Sequence, residues 1–239
     1  MILFDIDGTL IITGGAGQRA LDRAFEQLFG VPGAFASLEL PGRTDPLIVR
    51  EALRAHGIAD ADHDWTRFHD CYVEALAGEI TRDHPAKKVL PGVVPLLEAL
   101  AAPDDRILAL LTGNFESSAR LKLEHFDLWR YFGWGAFGDD APDRNGLVPI
   151  AVERCVARGH PRVPPDRIVV IGDTRRDVEC AAVAGARCIA VATGGASVEQ
   201  LWEAGADVVF DTLVDTSEVT GAIDDLIAGA AVAEISQSG

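Results

Sequence analysis

The strongest constraint on the fold is an alternation of short apolar runs with amphipathic stretches. Five runs have the length and composition of buried strands, the last being the weakest: residues 2–4, 107–111, 168–171, 188–192 and 207–210. Helical periodicity is found in the stretches between them: residues 93–101, 117–125, 149–156, 175–184 and 197–202. Parallel strands covered by helices are apolar on both faces. The pattern therefore predicts an α/β fold with a doubly wound parallel sheet.

One segment interrupts this alternation. Residues 14–89 contain no convincing strand run and instead show helical periodicity over 18–28, 45–55 and 65–80. We therefore predict an inserted α-helical cap domain over residues 14–89 and a core domain formed by residues 1–13 and 90–239. Because the insertion follows the first strand, it should emerge beside that strand's end and is placed to act as a lid. Residues 231–239 are expected to form a frayed tail.

Charge and cysteine content narrow the function classes. The 239 residues carry a net charge of −16, which argues against a nucleic-acid backbone or an anionic membrane as partner. The four scattered cysteines include no Cys-x-x-Cys pair, so we expect reduced thiols in a cytoplasmic protein. Met1 leads directly into an apolar run, and no run reaches the ~20 residues of a membrane span. Neither a signal peptide nor a membrane anchor is therefore expected.

Two carboxylates end the first apolar run. Asp5 and Asp7 follow residues 2–4 and are succeeded by Gly8 and Thr9, a turn signal. Side chains two residues apart on a strand point the same way, so the two charges should repel each other. A divalent cation is the natural counter-charge for such a pair, although an Asp-x-Asp sequence on its own is often only a turn.

Polar residues also follow two later strand runs. Thr112 precedes Gly113 and Asn114, a hydroxyl and backbone N–H groups that lead towards a helix and can cradle an anion. Asp173 ends another strand, with Asp177 one helical turn further on, and two such carboxylates suit Mg²⁺. Each pattern alone also fits a plain turn or helix cap. Because ligands bind at the carboxyl ends of parallel strands, the set as a whole predicts one site.

The ordered segments FDIDGT, LLTGN and GDTRRD resemble motifs one, two and four of the haloacid dehalogenase superfamily. The resemblance extends over essentially the whole chain, including a helical cap between the first two motifs. Within the superfamily the chain is most similar to phosphoglycolate-phosphatase-like hydrolases. The resemblance implies a Rossmann-like core and a Mg²⁺-dependent phosphate monoester hydrolase that acts on a small phosphorylated metabolite through an aspartyl-phosphate.

The resemblance also assigns roles to the acidic residues. Asp5 matches the nucleophile that becomes phosphorylated. Asp7 matches the general acid/base, whose backbone carbonyl is also a metal ligand in the family. Asp173 matches the Mg²⁺ ligand of the fourth motif, and Asp177 matches a supporting or water-mediated ligand. The expected metal set is therefore Asp5, Asp7, Asp173 and Asp177.

The expected phosphate-holding residues come from the second motif. Thr112 matches the residue that hydrogen-bonds the transferring phosphoryl group, and Gly113 and Asn114 would contribute neighbouring groups. In the cap, Arg43 lies in a Pro-flanked loop comparable to one that faces the active site in related proteins. It is a candidate for binding a carboxylate or second phosphate of the substrate, or a simple surface arginine.

The third motif departs from the family pattern. The family usually places a lysine there, before the helix that precedes the fourth motif. The chain's lysines, Lys87, Lys88 and Lys122, all lie too early in the sequence. Arg144 is the best substitute, because a guanidinium can offset Asp5 and clamp phosphoryl oxygens. The alternative is a solvated loop arginine.

Other functions remain open from the sequence. A phosphomutase shares all four motifs. A phospho-receiver-like binding module is also doubly wound and acidic, although it is smaller and lacks the helical insertion. A dehalogenase is disfavoured, because dehalogenases lack an acid at the position of Asp7. The sequence is compatible with a monomer or a homodimer.

Overall fold

The computed structural model describes residues 1–60, 65–103 and 106–229. The tail predicted at residues 231–239 lies outside the described residues. Eight strands are found in these ranges: β1 Ile2–Phe4, β2 Ile11–Ile12, β3 Lys88–Val89, β4 Leu108–Leu111, β5 Gly135–Ala136, β6 Val169–Gly172, β7 Arg187–Val191 and β8 Val208–Phe210.

Nine α-helices are found in the same ranges. They are α1 Ala16–Phe29, α2 Asp45–Ala55, α3 Trp65–Glu79, α4 Val93–Ala101, α5 Glu116–His125, α6 Leu147–Ala157, α7 Arg175–Ala184, α8 Val198–Glu203 and α9 Thr216–Ala228. In the described part of the chain, each helix is too short or too polar to span a lipid bilayer.

Six strands form one parallel sheet in the order β5-β4-β1-β6-β7-β8. The first strand lies in the middle, with Leu3 paired to Ala109 of β4 on one side and to Val170 of β6 on the other. The chain thus winds outward in both directions from β1, which opens a crevice at its carboxyl end. The predicted α/β fold with a doubly wound parallel sheet is confirmed.

The alternation of side chains along β1 divides the core into two layers. Ile2 and Phe4 belong to a buried cluster that includes apolar side chains of α4, α5 and α9. Leu3 belongs to the opposite cluster, with side chains of α6, α7 and α8. Helices on both faces therefore keep water from the strands, which explains why these strands are apolar throughout.

The helices α1, α2 and α3 lie in the segment predicted as a cap and share a third apolar cluster. Phe25 and Phe68 are at its centre, with ring centroids 6.5 Å apart. The antiparallel ribbon of β2 and β3, in which Ile11 pairs with Val89, connects the predicted cap and core segments at their boundary. The division into residues 14–89 and the remainder stays a prediction.

Some elements were not predicted from the sequence. The strands β2, β3 and β5 have two residues each, which is too short for a periodic pattern to emerge. The helix α9 was also missed, although Asp215 caps it by accepting a hydrogen bond from Glu218 N at 3.0 Å. Its apolar residues Val219, Ala222, Ile223 and Leu226 have helical spacing and are buried, and the helix packs against α4.

Gly92 lies where the start of α4 approaches the backbone of Leu213 closely. Its φ is +84°, and an added Cβ would overlap the backbone carbonyl of Leu213. We expect Gly92→Ala to lower the free energy of unfolding by about 3 kcal/mol, from the positive φ and the overlap together. Urea unfolding of both proteins measures this difference.

Gly133→Ala is the matched control for Gly92→Ala. Its φ is +64°, but nothing lies within 4 Å of an added Cβ. Gly133→Ala should therefore lower the free energy of unfolding by only about 1 kcal/mol, the cost of a positive φ for a residue that has a Cβ. Equal losses at the two glycines would show that the contact with Leu213 is unimportant.

Candidate active site

The carboxyl ends of β1, β4 and β6 meet at one cavity of about 330 Å³. This is where the sequence predicted a site, because those ends lie on the same edge of a parallel sheet. The cavity is lined by most of the predicted site residues: Asp5, Asp7, Arg43, Thr112, Gly113, Asn114, Arg144 and Asp173. Asp177 is fully buried behind this surface.

Three buried carboxylates form the acidic part of the site. Asp5, Asp173 and Asp177 each contribute an oxygen, and these oxygens lie within 4.8 Å of one another. The donor set is entirely carboxylate oxygen, which is what hard cations such as Mg²⁺ prefer. The arrangement fits a divalent metal, with the better access at Asp5 and Asp173, since these two line the cavity.

Crowding of these carboxylates perturbs their protonation. Burial raises the pKa of Asp5, which Arg144 lowers and Asp177 raises. Burial also raises the pKa of Asp173 well above its usual range, and the neighbouring Asp5 and Asp177 add to that effect. The cause in both cases is the cost of holding negative charge away from water, so an added cation would favour the ionised forms.

Asp177 is held by the start of α7. One of its oxygens accepts from the backbone N and hydroxyl of Thr174, at 3.0 and 2.6 Å, in a capping box. The other oxygen accepts from Arg144. Because both oxygens are already engaged, Asp177 is better suited to a supporting role than to direct ligation of a metal.

Arg144 lies between two of the acids. Its Nη2 is 3.1 Å from Asp5 Oδ1 and also pairs with Asp177, and it donates to Leu111 O at 3.1 Å. Burial alone would lower the pKa of Arg144, but Asp177 and Asp5 raise it above its ordinary value. The structure thus puts a buried guanidinium beside the predicted nucleophile rather than in a solvated loop.

Asp7, Thr112 and Asn114 form a hydrogen-bonded chain across two strand ends. The Nδ2 of Asn114 donates to Asp7 Oδ2 at 2.9 Å and to Thr112 Oγ1 at 2.7 Å. The Thr112 side chain is fully buried, whereas 42% of the Asp7 side chain is exposed. Asp7 is therefore the acid of this site with the freest access to the cavity.

Gly113 lies where the cap segment touches the sheet. Its carbonyl accepts from Asp45 N at 2.7 Å, and a Cβ at Gly113 would overlap the carbonyl of Arg43. The glycine at this position permits two backbones to approach. Of the two predicted substrate-binding residues in this turn, Gly113 therefore allows the close backbone contact, whereas Asn114 contributes a side chain that hydrogen-bonds Asp7 and Thr112.

Arg43 lies on the opposite wall of the cavity. Its guanidinium pairs with Glu51 and donates to Glu39 O at 3.2 Å. Its Nε is buried and has no hydrogen-bond partner among the described residues. Arg43 is therefore partly buried at the cavity, with donor capacity left over.

Sequence reasoning missed Lys122, which also lines the cavity. It was set aside because it lies too early to fill the third motif, and Arg144 does lie nearer Asp5, the predicted nucleophile. The available signal was helical spacing: Ser118 and Lys122 are four residues apart and occupy the buried face of α5. A lysine on the buried face of a helix needs a partner, which points to a site.

Sequence reasoning also missed Asp45 as a site residue, because its position predicts only the start of a helix. It is buried at the first turn of α2 and accepts from Phe115 N at 3.0 Å and from Ser118 Oγ at 3.4 Å. Burial raises the pKa of Asp45 to about 6, although Lys122 and the Phe115 hydrogen bond lower it. Asp45 therefore links the cap helix to the residue that follows Asn114.

The fold and the acidic edge define a class of hydrolase with a doubly wound core and a helical insertion after the first strand. The family model for haloacid dehalogenase-like hydrolases matches residues 2–182. The chain belongs to this family, and the predicted hydrolase of phosphatase type is confirmed.

Relatives of the chain are consistent with this family. It is 27% identical over 220 residues to a phosphoglycolate phosphatase of Pseudomonas fluorescens, covering 89% of this chain and 76% of that protein. A hydrolase from Pseudomonas syringae has a similar fold, with a TM-score of 0.66, 22% identity and coverage of 93% and 98%. CbbY from Rhodobacter sphaeroides in complex with phosphate gives a TM-score of 0.67, 22% identity and coverage of 90% and 94%.

Substitution of Asp45 tests the link between α2 and α5. The pKa of its carboxyl rises from 3.8 to about 6 on folding. The folded protein keeps this proton where the unfolded chain releases it, so stability falls by ~3 kcal/mol as pH rises from about 4 to about 7. Asp45→Asn removes this loss and keeps an acceptor oxygen for Phe115 N. The variant should therefore gain stability relative to the parent over this range.

The measurement is urea unfolding of both proteins across that pH range. Asp166→Asn is the control, because Asp166 is exposed in a turn before β6, at the opposite edge of the sheet. A stability difference between Asp45→Asn and the parent that does not change with pH would contradict the prediction.

Proposed function

We propose that the protein is a Mg²⁺-dependent phosphate monoester hydrolase that works through an aspartyl-phosphate on Asp5. The observation that carries this proposal is the convergence of Asp5 and Asp173 with Arg144 at one end of the cavity. Asp5, Asp173 and the backbone carbonyl of Asp7 would hold the metal, with Asp177 in support. When bound, Mg²⁺ would offset the charge of the phosphate against that of the carboxylates.

In the first step, Asp5 attacks phosphorus while the bond to the leaving oxygen breaks. Asp7 gives its proton to that oxygen, so an alcohol leaves and a phosphoryl group remains on Asp5. Thr112, the backbone N–H groups near Gly113 and Asn114, and Arg144 hold the phosphoryl oxygens in this proposal. The hydrogen-bonded chain from Asp7 to Thr112 supports it, because it puts both groups beside the same space.

In the second step, water attacks phosphorus of the aspartyl-phosphate. Asp7, now a carboxylate, takes the water's proton, inorganic phosphate leaves, and the Asp5 carboxylate is restored. The cap segment would exclude bulk water during the first step and reopen to release products. The contact of Gly113 with the Arg43–Asp45 backbone supports this part, since it joins the cap loop to the phosphate-holding turn.

The substrate is proposed to be a small phosphorylated metabolite. Phosphoglycolate is the first candidate, because curated relatives such as that of Pseudomonas fluorescens carry that activity in their names. A cavity of about 330 Å³ is adequate for a compound of that size. A cytoplasmic location and a monomeric or homodimeric state belong to the same proposal.

Turnover of p-nitrophenyl phosphate tests the reaction first. We expect hydrolysis with Mg²⁺, none with EDTA, and a loss of at least ~10³-fold in kcat for Asp5→Asn, because the amide is not a nucleophile. Asp166→Asn, at the far edge of the sheet, is the matched carboxylate control and should retain activity. Turnover that persists in both EDTA and Asp5→Asn would rule out the mechanism.

A single-turnover experiment separates the hydrolase from the mutase and the phospho-receiver-like module. The hydrolase should release one phosphate per active site into water without any added acceptor. A mutase would instead transfer the group to a sugar phosphate. A receiver-like module would keep the phosphorylated aspartate for minutes, without further turnover.

Arg43→Ala tests how the cap takes part in substrate binding. We propose that Arg43 binds a second anionic group of the substrate, so its loss should raise KM for phosphoglycolate about tenfold, the value of one charge-assisted hydrogen bond. A smaller rise is expected for p-nitrophenyl phosphate, which has no second anionic group. The measurement is a pair of Michaelis curves for each protein.

Arg50→Ala is the control for Arg43→Ala. Arg50 lies on α2, the helix that follows the loop of Arg43. It pairs with Asp60 and lies over the Trp65 ring, away from the cavity. Equal changes in KM for the two substrates in Arg43→Ala would count against a role in recognising the second group.

A further inference from the structure

Lys122 is a buried cation in the core that the proposed mechanism does not use. It comes from the last turn of α5 and only 4% of it is exposed. Its ammonium is 2.6 Å from Asp7 Oδ2 and 2.6 Å from Asn114 Oδ1. A buried ammonium is costly unless it is paired, so these two oxygens determine where the lysine side chain can lie.

The contacts of Lys122 and Arg144 are divided between different acids. Arg144 pairs with Asp5 and Asp177, whereas Lys122 pairs with Asp7. The two cations therefore do not substitute for each other. Arg144 is the counter-charge of Asp5, the proposed nucleophile, and Lys122 is the counter-charge of Asp7, the proposed acid/base.

The hydrogen bonds to Asp7 are unequally shared between its two oxygens. Oδ2 accepts from both Lys122 Nζ and Asn114 Nδ2. Among the described residues, no side chain donates to Oδ1. Two donors on one oxygen fix the rotation of the carboxyl group and leave the other oxygen available at the cavity.

Asn114 strengthens this arrangement because it contacts both partners. Its Oδ1 accepts from Lys122 and its Nδ2 donates to Asp7 and Thr112. Lysine, asparagine and aspartate thus form a closed triangle of hydrogen bonds. Such a closed set restrains each side chain more than a single pair would.

We infer that Lys122 is a positioning residue that orients the Asp7 carboxyl, so that Oδ1 exchanges the proton with the leaving oxygen and then with water. This inference rests on the proposed function, in which Asp7 is the general acid/base. Lys122 acts through Asp7 and not on the transferred phosphoryl group.

The experiment compares two leaving groups. A nitrophenolate departs without a proton, whereas the alkoxide of glycerol 3-phosphate needs one, so only the second substrate depends strongly on a well-oriented acid. The quantity to compare is kcat/KM, because it includes only the steps up to the first irreversible one, the departure of the leaving group. Lys122→Met should lower it about 100-fold for glycerol 3-phosphate and less than about tenfold for p-nitrophenyl phosphate.

Two further variants complete the test. Lys88→Met removes the same charge from an exposed position on β3 and should leave both values unchanged. In an Asp7→Asn background, Lys122→Met should cause little additional loss, since the group that it orients is already gone. Circular dichroism and urea unfolding of each variant verify that it is folded.

The outcomes separate this inference from the proposed function. If the parent protein hydrolyses neither substrate, the proposed function fails. If the parent is active and a folded Lys122→Met loses equally on both substrates, the ammonium acts on the phosphoryl group and the inference is overturned. Additive losses of Asp7→Asn and Lys122→Met would overturn it as well.

Discussion

Electrostatic repulsion among carboxylates at the carboxyl edge of the sheet is the constraint around which the site is organised. Asp5, Asp173 and Asp177 are held within a few ångströms of one another and out of water, which is unfavourable without compensating charge. Arg144 supplies part of that compensation at Asp5 and Asp177. The raised pKa of Asp173 indicates that the compensation is incomplete, and a divalent cation would complete it.

The same edge also attaches the helical insertion to the sheet. Phe115 directly follows Asn114 in sequence, yet its ring belongs to the apolar cluster of α1, α2 and α3. Its backbone N–H donates to Asp45 at the start of α2. A shift of the cap segment must therefore disturb the residues next to Asn114, so the position of the cap and the geometry of the site are physically linked.

A structural feature can be predicted from the sequence when the residues that form it are close together along the chain. The strand ends with Asp5, Thr112 and Asp173 were predictable, because a buried strand and the polar residue after it are adjacent in the chain. The pairing of Lys122 with Asp7 was not, because the two residues are 115 positions apart, and helical spacing can place Lys122 on a buried face without identifying its partner. The two-residue strands were missed because they are stabilised by pairing rather than by a local pattern.

The sequence by itself determined the doubly wound sheet, the helical insertion and the family, since periodicity and contiguous motifs are local properties of the chain. Only the tertiary structure decided how the charges are distributed. It pairs Arg144 with the predicted nucleophile and Lys122 with the predicted acid/base, and it turns Asp177 towards Thr174 and Arg144. The physical reason is that Coulomb and hydrogen-bond energies depend on separations of a few ångströms, which arise only when strands and helices distant in sequence pack together.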